Sequence, residues 1–348
     1  MEKIKLTHYT QGAGCGCKMA PKELEKILQS NIVFPKNSNL IVGNNTKDDA
    51  AVYDMGNGNG LISTTDFFTP IVDDPFIFGK IAAANAISDV YAMGGKPLLA
   101  LAILAWPLQK IPIEMAQKVM EGAQTICLEA GITLAGGHSI DSQEPIFGLV
   151  VNGTIELNNL KRNNTAEAEN LIYITKKIGV GILSTAEKRG ILKEEDKLLG
   201  VEQMLKLNKI GTQLGELKGV TAMTDITGFG LLGHLIEMAE GSNLQAEINY
   251  SKIPLINGLA FYTSQMCVPD NTFRNWNGYE QKVDGITGES LLSLCDPQTN
   301  GGLLISVNPA AKNELEKLFF QNDLQEFITP IGSFKAFDEN KKRIRIID

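Results

Sequence analysis

Residues 76–95 read FIFGKIAAANAISDVYAMGG and consist mostly of small or apolar side chains. The run of alanine and isoleucine predicts a buried helix over residues 76–93, which ends at Gly94-Gly95. Two polar residues, Asn85 and Asp89, are four positions apart and therefore lie on one face of that helix. A carboxylate on so apolar a helix is costly to bury alone, so we expect Asp89 to meet a partner there.

The pattern on either side of this stretch divides the chain into two blocks. The first block predicts strands over residues 51–54, 61–65, 98–104, 133–135 and 146–154, with further helices over 21–30 and 113–130. The second predicts strands over residues 171–175, 220–224, 245–250, 303–307 and 343–347, with helices over 180–188, 194–217, 231–239 and 310–320. Residues 251–290 carry only a weak pattern, and the basic final strand is expected at a solvated sheet edge.

The domain organisation follows from length and from one polar segment. A single core stops growing at roughly 250–300 residues, so a chain of 348 residues is expected to form two domains. Residues 156–170 are rich in asparagine and charge, which favours a linker. We therefore expect a glycine-rich arm over residues 1–20, an N-terminal domain over 21–155 and a C-terminal domain over 171–348.

Composition excludes several classes of protein. With 32 Lys and Arg against 40 Asp and Glu, the net charge is −8, which is poorly suited to binding nucleic acid through its phosphates. The longest apolar run covers residues 98–106, whereas a bilayer requires about 20 residues, and the N-terminus has no signal-peptide pattern. Five cysteines in so long a chain do not indicate a disulfide scaffold. We expect a cytoplasmic protein with reduced thiols and no nucleic-acid or membrane partner.

A cysteine motif near the N-terminus is the first candidate site. Gly12-Ala13-Gly14-Cys15-Gly16-Cys17-Lys18 places two thiols in a loop whose glycines give it little intrinsic order. Lys18 and the N-terminus of the predicted helix over residues 21–30 both favour thiolate over thiol. The motif therefore predicts a flexible arm that presents a soft nucleophile. Half of a metal site, or an inert pair of thiols, is the alternative.

Aspartates form the second candidate site, because they recur at strand ends and on the apolar helix. Carboxylates in such places are costly to bury singly, and convergence on Mg²⁺ would remove that cost and bring a polyphosphate with it. Any one of them alone is typical of a turn or a helix cap. The aspartates concerned are Asp48, Asp49, Asp66, Asp89 and Asp225.

Glycine-rich turns are the third kind of candidate. Gly136-Gly137-His138-Ser139 follows a predicted strand and could let the backbone approach a phosphate, or could be a plain tight turn. The same two interpretations apply to residues 296–302. Residues 228–233 match G-x-G-x-x-G with Glu247 in the next strand, the dinucleotide-binding layout, but Asp225 would repel a pyrophosphate there.

Taken together, the motifs resemble those of the selenophosphate synthetases (selenide, water dikinases), within the aminoimidazole ribonucleotide synthetase-like superfamily. The resemblance extends over the whole chain, and the Cys-Gly-Cys-Lys arm separates this family from the rest of the superfamily. The motifs, in the family's order, are residues 12–18, Asp48-Asp49-Ala50-Ala51-Val52, Thr64-Thr65-Asp66-Phe67-Phe68, Asn85-Ala86-Ile87-Ser88-Asp89, Gly136-Gly137-His138-Ser139, Thr224-Asp225-Ile226-Thr227-Gly228-Phe229-Gly230 and Asp296-Pro297-Gln298-Thr299.

The resemblance implies a homodimer of two-domain α+β subunits with mixed sheets and flanking helices. It implies that ATP, selenide and water are converted to selenophosphate, AMP and phosphate, with Mg²⁺ and K⁺ as cofactors. Selenophosphate would supply selenium for selenocysteine and selenouridine, and a selenium-delivery protein would be a transient partner. The thiol arm would close over ATP and shield the oxygen-sensitive selenide.

The resemblance also implies a role for individual residues. Cys15 matches the catalytic Cys or selenocysteine position and Lys18 the essential lysine that contacts phosphate. Asp49, Asp89 and Asp225 match the metal ligands. The positions that match ATP contacts are Lys18, Thr46, Lys47, Asp48, Asp66, Asp89 and, from the partner subunit, Gly137-His138-Ser139. One position departs from the pattern, because serine is expected where this chain has Asn300.

Three other functions remain as alternatives. Another ATP-dependent kinase or ligase of the same superfamily would share the glycine-rich acidic motifs, but it would leave the Cys-Gly-Cys arm unexplained. A non-catalytic thiol or selenium carrier would not need Lys18 and all the aspartates. A dinucleotide-dependent oxidoreductase would rest on residues 228–233 alone.

Overall fold

The computed structural model describes residues 4–10, 14–17, 26–27, 37–44 and 47–348. Residues 26–27 are helical, and the rest of the helix predicted over 21–30 lies outside the described residues, as do Lys18 and Thr46. Over the described ranges, none of the helices combines the length and the hydropathy needed to span a membrane.

Strands and helices alternate irregularly along the chain. The strands β1 to β13 are Leu40–Val42, Ala51–Gly56, Asn59–Phe68, Lys96–Trp106, Thr133–Asp141, Ile146–Glu156, Leu171–Ile174, Val220–Asp225, Leu244–Asn249, Val283–Asp284, Leu303–Val307, Gly332–Ala336 and Ile344–Ile347. The helices α1 to α10 are Pro75–Ala92, Ile113–Glu129, Val180–Lys188, Lys197–Leu205, Ile210–Glu216, Gly230–Gly241, Leu259–Ser264, Asp270–Tyr279, Gly288–Leu294 and Lys312–Gln321.

The first sheet has the strand order β1-β2-β3-β6-β4-β5 in the described part of the chain, and only the β4–β5 pair is parallel. Helices α1 and α2 pack closely against each other. A Cβ on Gly79 would lie 1.9 Å from the carbonyl oxygen of Val119, and one on Gly122 would lie 2.0 Å from that of Phe76. Glycine is therefore required at both positions for the two backbones to approach this closely.

Helix α1 lies at the junction of the two halves of the molecule. It contacts β3 and β6 of the first sheet, and also β8, α4 and α5 of the second half. It is therefore covered on several sides at once, which explains its run of alanines and isoleucines. Its polar residues Asn85 and Ser88 are fully buried as well, and Asp89 is 9% exposed.

The second sheet has the order β10-β13-β9-β12-β7-β11-β8 among the described residues, with parallel pairs at β10–β13 and β13–β9. Two mixed sheets with flanking helices confirm the predicted α+β architecture. The prediction of a solvated edge for the basic final strand is wrong, since β13 lies between two other strands. Ile344 and Ile346 are buried, while Arg345 projects outward and pairs with Glu247 at 3.5 Å.

The helix predicted over residues 194–217 is broken into two helices, α4 and α5. The reason is that the carbonyl groups at the end of α4 have other partners. The Asn300 side chain donates to the carbonyl oxygens of Met204 and Lys206, at 2.6 Å and 2.9 Å. The Lys176 ammonium also donates to the Lys206 carbonyl, at 2.7 Å. These long-range contacts replace the hydrogen bonds that would continue the helix.

The polar segment between the two sheets is packed against the rest of the molecule. Lys161 is 6% exposed and donates to the carbonyl oxygen of Leu217. Asn163 is 3% exposed and contacts the loop before β2. Asn170 is 1% exposed and donates to hydroxyl groups of the second sheet. Polar composition here reflects specific hydrogen bonds as well as solvation.

Candidate active site

Three carboxylates from separate parts of the chain converge beside α1. Asp49 lies two residues before β2, Asp89 lies in the last turn of α1, and Asp225 ends β8. The Thr224 hydroxyl donates to Asp49 Oδ1 at 2.7 Å, which joins the start of β2 to the end of β8. Burial, followed by repulsion from the nearby Asp225 and Asp89 carboxylates, raises the pKa of Asp49.

Hydroxyl groups orient the other two members of this cluster. The Thr64 hydroxyl donates to Asp89 Oδ2 at 2.5 Å, and the Ser88 hydroxyl donates to Asp225 Oδ2 at 2.6 Å. Asn208 in turn donates to Ser88 Oγ at 2.8 Å. Because Ser88 and Asp89 are neighbours on α1, one turn of that helix positions carboxylates from both halves of the molecule.

The cluster has the chemistry of a divalent-cation site. Burial is the largest cause of the raised pKa of Asp49, followed by the charges of Asp225 and Asp89. Asp49 Oδ2 is inaccessible and has no hydrogen-bond partner among the described residues. Among the described residues, no three acidic, histidine or cysteine side chains lie close enough together to hold a metal ion. Hard carboxylate oxygens with an orphaned buried member fit Mg²⁺, which keeps several of its waters and needs few protein ligands.

Asp66 belongs to a second, adjacent arrangement. It lies on β3 and faces α1, where the Asn85 side chain donates to its Oδ2 at 2.6 Å. Asn85 Oδ1 accepts from the backbone N–H of Asn300 at 2.7 Å. Asp66 is therefore connected through one amide to the loop over residues 296–302.

The loop before β2 is anchored from a distance. The backbone N–H of Asn163 donates to Asp48 Oδ1 at 2.7 Å, and its side chain donates to the carbonyl oxygen of Lys47 at 2.8 Å. Lys47 is exposed and has a φ of 56°, a left-handed conformation. Asp48 and Lys47 thus border the carboxylate cluster, while the third predicted ATP contact of this loop, Thr46, lies outside the described residues.

The loop over residues 296–302 holds the start of α3 through two side chains. Gln298 Oε1 accepts from the N–H groups of Gly179 and Val180, both at 3.2 Å, and Asp296 Oδ2 accepts from that of Gly181 at 3.0 Å. Burial raises the pKa of Asp296 to about 8. The first N–H groups of α3 are therefore satisfied by this loop.

The cysteine motif meets the same loop. Residues Gly14–Cys17 form a short 3₁₀ turn whose first N–H donates to the carbonyl oxygen of Thr69 at 3.0 Å. A Cβ on Gly14 would lie 2.6 Å from Thr299 Oγ1, and one on Gly16 would lie 3.8 Å from Pro297 Cγ. The backbone of Cys15 is thus close to the loop that also holds Asn85, whereas the predicted phosphate contact Lys18 lies outside the described residues.

The prediction of a turn at Gly136-Gly137-His138-Ser139 is wrong, because all four residues lie within β5. A Cβ on Gly137 would lie 2.2 Å from the carbonyl oxygen of Ala102 on the neighbouring strand, so this glycine permits close pairing with β4. His138 pairs with Ile103 and is exposed. The described structure of one chain does not bring Gly137, His138 or Ser139 together with the carboxylates.

The G-x-G-x-x-G motif has a structural explanation. Asn271 and Asn275 of α8 both donate to the carbonyl oxygen of Gly228, at 3.4 Å and 2.9 Å, and the Tyr279 hydroxyl donates to that of Phe229 at 3.2 Å. These three residues recur at helical spacing on one face of α8. They hold the glycine turn from a region where the sequence pattern is weak.

Several site residues were not singled out from the sequence. Ser88 and Thr64 occur within quoted motifs, but their roles depend on which carboxylate faces them. Lys176 is fully buried, and its ammonium donates to the carbonyl oxygens of Asn300 and Lys206. Burial lowers the pKa of Lys176 to about 7, although the charge of Asp225 opposes that change. A lysine directly after a strand gives no local signal of such a position.

Two comparisons of sequence identify what this chain is similar to. Residues 47–155 match the family described as "AIR synthase related protein, N-terminal domain", and residues 167–340 match the corresponding C-terminal domain. The chain is 52% identical over 341 residues to "Selenide, water dikinase" of Aeromonas salmonicida (strain A449), covering 98% of each chain. It is 53% identical over 336 residues to the protein of the same name from Colwellia psychrerythraea, covering 97% of each.

Solved structures share the fold at much lower identity. A thiamine monophosphate kinase from Aquifex aeolicus superposes with a TM-score of 0.64 at 18% identity, covering 93% of this chain and 94% of that one. The hydrogenase maturation protein HypE in complex with ATP superposes with a TM-score of 0.62 at 18% identity, covering 89% and 86%. Similarity at this level establishes the two-domain fold.

Proposed function

The chain belongs to the selenide, water dikinase family of AIR synthase related proteins, and from that membership we propose that it makes selenophosphate from ATP, selenide and water. AMP and phosphate are the other products. The observation that carries the proposal is the sequence identity of 52–53% to relatives named selenide, water dikinase, over 97–98% of their length. The thiamine monophosphate kinase and the HypE protein share the fold but only 18% sequence identity with this chain. The reaction of the selenide, water dikinases is therefore favoured over theirs.

The carboxylate cluster supports ATP-dependent phosphoryl transfer. In this proposal Asp49, Asp89 and Asp225 hold Mg²⁺, which when bound would offset the charge of the transferring phosphoryl group. Thr64, Ser88 and Thr224 keep the three carboxylates oriented before ATP arrives. Orientation of this kind lowers the reorganisation required during the reaction.

The residues around the cluster would bind ATP. We assign this role to Lys47, Asp48 and Asp66 on this chain, together with Lys18 and Thr46. Asp48 is held by Asn163 and Asp66 by Asn85, so each has a defined orientation. K⁺ would be a second cation cofactor, and it is the family resemblance that implies it.

The cysteine turn would supply the soft group that selenide requires. We propose that Cys15 contacts selenide and that Lys18 contacts phosphate. The position of the Gly14–Cys17 turn beside Thr299 and Pro297 supports this role, because the same loop contacts Asn85 at the proposed ATP site. A reduced thiol is needed for this chemistry, so we place the protein in the cytoplasm, with a selenium-delivery protein as a transient partner.

A homodimer would complete the proposed site. Phe67 on β3, Leu101 on β4 and Ile140 on β5 are 50%, 37% and 57% exposed and lie on the side of the first sheet away from α1. His138 shares this side, so pairing of two copies would carry Gly137-His138-Ser139 toward the partner's ATP. Exposed apolar side chains from three strands on one face of the sheet support a buried interface.

Sedimentation tests the dimer directly. We expect wild-type protein to sediment at about twice the mass of one chain, and Leu101→Glu with Ile140→Glu to sediment as a monomer with reduced turnover, because charge cannot be buried unpaired. Phe273→Glu is the matched control, since Phe273 is exposed on α8. A wild-type chain that sediments as a monomer at micromolar concentration would contradict the proposed interface.

Anaerobic ³¹P NMR tests the reaction itself. The protein is incubated with ATP, Mg²⁺, K⁺ and selenide, beside a sample without selenide. We expect a selenium–phosphorus species, AMP and phosphate to form together, and only when selenide is present. Formation of ADP without a selenium–phosphorus species would contradict the proposal and favour a kinase with a different acceptor.

A further inference from the structure

The backbone N–H of Asn300 joins the loop over residues 296–302 to α1, because it donates to Asn85 Oδ1 at 2.7 Å. We propose that Asn300 is a positioning residue for ATP binding, which acts by fixing the orientation of the Asn85 amide and, through it, the Asp66 carboxylate. This inference rests on the proposed function to the extent that Asp66 is taken as an ATP contact.

The side-chain amide of Asn85 is fully buried. A backbone N–H can only donate, so the 2.7 Å contact from Asn300 identifies the facing atom of Asn85 as its oxygen. The amide nitrogen must then face the opposite way, where it donates to Asp66 Oδ2 at 2.6 Å. Rotation of the amide by 180° would place its N–H₂ group against the N–H of Asn300, which is also a donor. It would place its oxygen against the Asp66 carboxylate, which is also an acceptor. Asn300 therefore determines that the amide nitrogen of Asn85, and not its oxygen, faces Asp66.

Asn300 is itself held by hydrogen bonds from both its side chain and its backbone. Its side-chain nitrogen donates to the carbonyl oxygens of Met204 and Lys206, at 2.6 Å and 2.9 Å. Its own carbonyl oxygen accepts from the buried Lys176 ammonium at 2.7 Å. The contacts come from the end of α4 and from the segment after β7, so the backbone of Asn300 is fixed from two sides.

Asparagine suits this position both by its backbone conformation and by its side-chain donors. Asn300 has a φ of 48°, in the left-handed region that asparagine tolerates better than most residues. Its amide carries two N–H donors, which match the two carbonyl oxygens, whereas a serine hydroxyl carries one. Asn300 Oδ1 has no hydrogen-bond partner in the described chain, so the contribution of the side chain is these two donated bonds. Serine, the residue expected from the family pattern, would hold this backbone less firmly.

The test is Asn300→Ser, measured by the Kd of a non-hydrolysable ATP analogue and by KM and kcat. We expect a rise of about 10-fold in the Kd and in the KM for ATP, with kcat within about 3-fold of wild type, because loss of one or two hydrogen bonds is worth about this factor. Asn300→Gly keeps the positive φ and the backbone N–H but removes the side-chain donors. The Kd, KM and kcat of this variant are measured as well, in case the serine variant folds poorly.

Asn170→Ser is the matched control. Asn170 is also buried and also donates two hydrogen bonds from its side-chain nitrogen, at 2.6 Å and 3.2 Å, but to Thr221 and Ser306. We expect it to lower the melting temperature as much as Asn300→Ser and to leave the Kd unchanged. Equal effects of the two variants on the Kd, or an unchanged Kd in both Asn300 variants, would overturn the inference. Because the Kd needs no selenide, it separates this inference from the proposed reaction.

Discussion

Replacing Asp49 by asparagine is expected to lower selenide-dependent turnover by about 10²–10³-fold while raising the melting temperature of the metal-free protein by roughly 2–5 °C. The first effect follows from loss of a proposed Mg²⁺ ligand. The second follows from removal of a carboxylate whose charged form is disfavoured by desolvation and by two neighbouring carboxylates. A single substitution would thus separate function from stability.

The physical basis is the asymmetry between the two oxygens of Asp49. Oδ1 accepts a hydrogen bond from Thr224, and the amide oxygen of asparagine can do the same. Oδ2 is inaccessible and has no partner among the described residues. An amide N–H₂ in its place would carry no charge and could donate to the neighbouring carboxylates. Buried like charges are a recognised cost to folding that metal binding can offset.

Thermal unfolding with and without Mg²⁺, together with turnover, provides the measurement. We expect Mg²⁺ to raise the melting temperature of the wild-type protein more than that of Asp49→Asn, since binding to the folded state stabilises it. Asp323→Asn is the matched control: Asp323 is exposed, and its φ of 56° suits asparagine equally well. A metal-free Asp49→Asn protein that melts below wild type would contradict the electrostatic argument.

Replacing Cys15 by serine is expected to lower selenide-dependent turnover at least about 100-fold and to leave ATP affinity within about 2-fold of wild type. A serine hydroxyl is not ionised near neutral pH and is a hard group, whereas a thiolate matches soft selenide. Because the Gly14–Cys17 turn lies beside Thr299, the substitution falls next to the ATP site without altering its carboxylates.

Cys17→Ser is the matched variant, since it removes the other thiol of the same turn. Turnover is measured anaerobically by formation of AMP and selenophosphate, and ATP affinity is measured separately without selenide. The proposed role requires the loss to be confined to Cys15. If Cys15→Ser kept full turnover while Lys18→Ala lost it, the thiol would have no chemical role and the lysine would carry the function of the arm.

Much of the architecture could be predicted because it depends on local patterns. The apolar run of α1 and the glycines that follow it set the helix and its end, and most apolar strands could be placed to within a few residues, whereas β12 and the second half of β5 were missed. Family motifs also predicted that Asp49, Asp89 and Asp225 act together as metal ligands, and that role stays a prediction.

Other features could not be predicted because they depend on residues far apart in sequence. Asn163 lies in a polar segment and gives no local sign that it holds Asp48, 115 positions earlier. The carbonyl groups of Met204 and Lys206 end α4 because a side chain 94 to 96 positions later occupies them. The strand at Gly137 could not be predicted either, because two consecutive glycines are typical of a turn.

What the amino-acid sequence determined by itself was the set of groups available for chemistry: the thiols, the carboxylates and the glycines that permit close approach. These follow from side-chain type and short-range spacing. The tertiary structure alone decided which oxygen of Asp49 has no hydrogen-bond partner among the described residues, and which way the Asn85 amide faces. Hydrogen-bond direction and burial are properties of neighbours in space, and here those neighbours lie far apart in the sequence.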